Sequence, residues 1–85
     1  MLRLGTDDDM IDKLGALAAR VVEDALASGL AWDQAIVAFG IASKAIAAQA
    51  ANQGNGTLEQ CTAHAQGRLQ FGMEQGSDVL KAWLS

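Results

Sequence analysis

Proline and tyrosine are absent from this 85-residue chain, cysteine occurs once, and aromatic residues make up 5% of it. Without proline, nothing in the sequence forces a break in a helical hydrogen-bond ladder. A lone Cys61 cannot close an intramolecular disulfide, so the chain must rely on packing and suits a reducing compartment; the expected location is the cytoplasm. Basic residues are few as well. Six Lys and Arg against ten Asp and Glu give a formal net charge of −4, which leaves no cationic surface to hold a phosphate backbone, and no nucleic-acid partner is expected.

Two further segments are missing. The opening Met1-Leu2-Arg3-Leu4-Gly5 runs on toward Asp7, Asp8 and Asp9 without the charged, apolar, small-residue order of a secretory signal. The most apolar stretch, Ala35 to Ala48, is 14 residues long and carries Lys44, short of the ~20 residues that cross a bilayer. No membrane partner is expected.

What remains is a short, apolar, alanine-rich chain. Eighty-five residues suit one domain spanning 1–85, because two would hold roughly 40 residues each, too few to bury a core without disulfides or metal. Alanine fills 17 positions and favours helix, since it loses no side-chain entropy there. The β-branched residues do not alternate with polar ones, and Asn55-Gly56 is flanked by helical patterns rather than strands.

Three helices are predicted, over about 7–28, 32–52 and 57–84, with a loop at 53–56. Thr6 is suited to cap the first, and Asp7, Asp8 and Asp9 place negative charge on its unpaired N–H groups. Met10, Ile11, Leu14, Leu17, Ala18, Val21, Val22 and Ala25 form its apolar side, Asp9 and Lys13 an i,i+4 pair, and Gly29 its end. In the second helix Ala31 and Gln34 offer half of a capping box. Trp32, Ile36, Phe39, Ser43, Ile46, Ala47 and Ala50 fall on one side of it, as a core face would. Thr57 and Gln60 make a full capping box for the third helix, whose apolar side runs through Leu58, Cys61, Thr62, Ala65, Leu69, Gly72, Met73, Gly76, Val79, Leu80 and Trp83. Its glycines leave two forms open: a continuous or kinked helix, which is favoured, and a break near Gly76 with a short fourth helix after it. The expected fold is all-α, a compact antiparallel bundle of three long helices.

Chemistry-bearing motifs are weak. Cys61 and His64 are three apart and could supply half of a Zn²⁺ site or a thiolate–imidazole dyad, but two ligands are not four, and no oxyanion-stabilising turn accompanies them. Asp7, Asp8, Asp9 and Asp12 fail the EF-hand pattern, because the sixth and twelfth positions counted from Asp7 hold Asp12 and Ala18. A buried inert Cys61 beside a solvated His64 is expected, with no catalytic residue, no metal and no cofactor. Gly72-x-x-x-Gly76 is a small-residue groove whose familiar role belongs to membranes.

An apolar excess stands out instead. Val37, Ile41, Ala45 and Ala48 lie opposite the expected core face of the second helix, and between Asp33 and Glu59 the only charge is Lys44. Phe71 falls with His64, Arg68 and Gln75 on the expected outer side of the third helix. A contiguous apolar stripe on an otherwise uncharged helix marks an interface. The candidate interface is therefore Val37, Ile41, Ala45, Ala48 and Phe71, and the expected function is a non-catalytic protein–protein interaction module. It would be a homodimer formed through the second helix, with a further protein partner conceivable through the third. Ile41→Asp is expected to give a folded monomer; an unfolded product would place Ile41 in the core. Two alternatives are a small acidic inhibitor that occludes a site on a larger bacterial or phage protein, and a binder of a small apolar ligand near Trp32, Phe39 and Trp83.

Overall fold

The computed structural model describes residues 8–84; Thr6 and Asp7 lie outside them, as do the side chains of Asp8 and Trp83. The described chain is all-α, with α1 at Asp8–Ala27, α2 at Trp32–Asn52 and α3 at Leu58–Leu84. α3 is one helix of 27 residues that passes through Gly67, Gly72 and Gly76, so the continuous form of the two left open by its glycines is the observed one.

Helix ends lie where local hydrogen-bond chemistry puts them. Past the end of α1, Ser28 Oγ donates to the Ala25 carbonyl at 2.6 Å and accepts from the Leu30 N–H at 3.1 Å, while Gly29 takes a φ of 80°. At the start of α2 the Ala31 methyl can accept nothing, and the box is carried by Gln34 Oε1, which accepts the Ala31 N–H at 2.9 Å. α2 closes in a Schellman arrangement: the Asn55 N–H reaches the Ala50 carbonyl at 3.1 Å and the Gly54 N–H reaches the Ala51 carbonyl at 3.0 Å. Gly54 sits at a φ of 88°, a left-handed conformation that a Cβ would strain. Thr57 then opens α3 with both halves of its box, Gln60 N–H to Thr57 Oγ1 at 3.1 Å and Thr57 N–H to Gln60 Oε1 at 2.9 Å.

The chain forms two compact units. One contains α2 and α3 up to Gly72, an αα-hairpin closed by the Gly54–Gly56 turn. In it α2 presents Ala35, Phe39, Ser43, Ala47, Ala50 and Ala51 inward, and α3 presents Cys61, Thr62 and Ala65. The other unit contains α1 and α3 from Met73 onward. There Ile11, Gly15, Ala19, Val21 and Ala25 of α1 are sheltered, as are Gln75, Gly76 and Val79 of α3.

This inward set differs from the face expected for α2. Phe39, Ser43, Ala47 and Ala50 pack as anticipated, whereas Trp32, Ile36 and Ile46 are exposed and Ala35 and Ala51 take inward positions. The reason is geometric. The packed row 35–39–43–47–51 follows the i+4 ridge, inclined about 26° to the helix axis, so it leaves behind residues that a straight stripe along the axis would include. Small side chains on that ridge let the two backbones approach, and bulky neighbours are pushed to its flanks. The same inversion holds in α1, where Gly15 and Ala19 turn inward while Leu14, Leu17 and Val22 are exposed.

Candidate functional site

α2 carries the candidate site because its composition offers no polar side. Its inward ridge satisfies its own polar group: Ser43 Oγ donates to the Phe39 carbonyl at 2.8 Å, a bond along the helix that hides the hydroxyl at a packed position. Its single cation turns toward the hairpin partner, with Lys44 Nζ donating to Thr62 Oγ1 at 2.9 Å. Away from these two residues the outer surface is hydrocarbon.

Of the five residues singled out in the sequence, Val37 and Ile41 are 63% and 67% exposed. Ala45 is exposed between them and Ala48 is half-buried at the edge of the packed ridge. Ile46, 71% exposed, adds a shoulder that the sequence assigned to the core. The signal that could have found it is the i+4 progression of small residues, which excludes position 46 from the ridge. Ile41 lies outside the hairpin core, so an unfolded Ile41→Asp product cannot be blamed on a lost intrachain contact.

Phe71 is set apart from this row. It is half-buried, and the Arg68 guanidinium carbon lies 4.6 Å from its ring centroid, so a cation one turn away covers its face. His64 and Arg68 are exposed and Gln75 is half-buried. The structure brings Val37, Ile41 and Ala45 together on α2, and leaves Phe71 with Arg68 on α3.

The other motifs are dispersed. Cys61 is a half-buried free thiol and His64 is exposed. Among the described residues no three of His, Cys, Asp and Glu gather as a metal site would require. Asp9 pairs with Lys13 at 3.2 Å across one helical turn, with both side chains mostly in solvent. Trp32 is 82% exposed and so does not line an enclosed space with Phe39. α2 is 21 residues long and by length and composition is apolar enough to cross a membrane, which the 14-residue stretch within it is not. Compared with protein-family models, with curated proteins and with solved structures, the chain matches none of them.

Proposed function

We propose that this protein is a non-catalytic interaction module that self-associates through the outer row of α2, Val37, Ile41 and Ala45 with Ile46 at its shoulder. The observation that carries the reading is the inversion of side-chain size: the hairpin packs through alanines, and its branched aliphatic residues remain in solvent. Burying apolar area on association is the driving force, at about 25 cal/mol per Å² before the losses of rigid-body freedom are subtracted. A two-fold pair would set the Ile41 side chains near the axis, with the same patch used by both copies.

Charge favours a like partner. The chain carries −4 overall, yet its acidic residues lie outside the row and Lys44 is directed to Thr62, so two copies would meet without opposed like charges. The test is mass in solution by light scattering across concentration. A pair is expected for the natural chain and a lower mass for Ile41→Asp; a natural chain that stays at 8.8 kDa at high concentration would refute self-association. The acidic-inhibitor alternative has less to stand on, because Asp9 is already paired with Lys13.

A further inference from the structure

We propose that the second copy completes the fold, so that folding of the α2–α3 hairpin and self-association are one equilibrium rather than two. This rests on the reading of the α2 row as a self-association surface and adds a claim that the reading does not need.

The inference starts from how little the single chain hides. Among the described residues the buried apolar set is Ala35 and Ala47, at 6% and 4% exposure, and no side chain falls below 2%. Two alanines remove little area from water, while each helical residue fixed loses backbone entropy on the order of 1–2 kcal/mol. A helix of 21 residues is marginal by itself in water, and its stability comes from burying a face. For α2 the face with branched bulk is the outer one. Val37, Ile41, Ala45 and Ile46, with Ala38 and Ala42 between them, offer roughly 450 Å² per chain and about 900 Å² in a pair, close to the ~1,000 Å² that a specific interface clears.

The occupant that suits this surface is another α2. The row is uncharged and without a polar group needing a specific donor or acceptor. Its complement must therefore also be uncharged, and α2 is the helix of this chain with a single cation between Asp33 and Asn52. A self-complementary patch closes as a pair and leaves no free end.

The experiment records mass and far-ultraviolet circular dichroism on the same samples of the full chain, over a hundredfold dilution. Helical signal and mass are expected to fall together. Ile41→Ala is the decisive variant, because alanine is the better helix former and would be neutral or stabilising if Ile41 were plain surface. It is expected instead to raise the concentration at which half the helical signal is lost by about tenfold or more. If the mass halves while the helical signal holds, coupling is refuted and the self-association reading survives. If the chain is monomeric and helical throughout, both are refuted. If neutral phosphatidylcholine vesicles take up the chain and dissolve the pair, α2 is a lipid-facing helix and the claim of a second copy falls.

Discussion

Lys44 Nζ and Thr62 Oγ1 lie 2.9 Å apart, joined across the hairpin by 18 residues of chain. The bond draws the one cation of the Asp33–Glu59 segment against α3 and keeps it off the outer row of α2. It is solvent-exposed, so its contribution to stability is small, and its effect is to orient a charge.

Thr62→Val removes the acceptor while keeping the shape. The expected loss is less than about 1 kcal/mol in urea unfolding, since exposed polar contacts contribute little net energy. A loss of several kcal/mol would show that Lys44 anchors the hairpin.

Ala47→Leu tests the small-residue ridge. At 4% exposure Ala47 has no room for three further carbons, and overpacking of this kind costs about 1–3 kcal/mol. A neutral or stabilising result, read from the thermal midpoint at fixed concentration, would mean that the helices do not approach as closely as described.

The turn between α2 and α3 makes a paired prediction. Gly54→Ala places a Cβ at a φ of 88° with nothing within 4 Å of it, so only backbone strain of about 1 kcal/mol is expected. Gly56→Ala at a φ of 143° also brings that Cβ to 3.1 Å from Gln60 Oε1, the atom that caps α3. It is expected to cost more, about 1–3 kcal/mol. Equal losses at the two positions would contradict the contact.

Salt separates the proposed association from one driven by carboxylates. The mass of the natural chain is expected to hold as ionic strength rises to a few hundred millimolar, because burial of an uncharged row is not screened. Dissociation over that range would transfer the interface to the acidic residues.

Much of the fold was legible in the residues. Helix class followed from alanine content and from the absence of proline, and the helix ends from chemistry that acts within four residues: Ser28-Gly29 after α1, Gly54 after α2, and Thr57 with Gln60 before α3. These signals are local and need no knowledge of what packs where. Which side of each helix faces inward was less legible. A helical wheel weights size, and so assigned Trp32, Ile36 and Ile46 to the core, whereas the hairpin selected the ridge whose smallness allows approach. Val37, Ile41 and Ala45 were identified as exposed because they lie far from either choice. Phe71 was placed outside by angle alone, and its cover by Arg68 depends on a rotamer that spacing does not specify.

The alanine ridge inverts the usual map of mutational tolerance. In most helical proteins a saturation library punishes changes at leucine and isoleucine and forgives them at alanine. Here Ala35 and Ala47 should accept almost nothing but glycine or serine, while Ile46 and Val37 would be permissive wherever the chain acts alone. Selection that guards those two branched residues as strictly as the alanines would therefore report on company the chain keeps, and would do so without any need to isolate the companion.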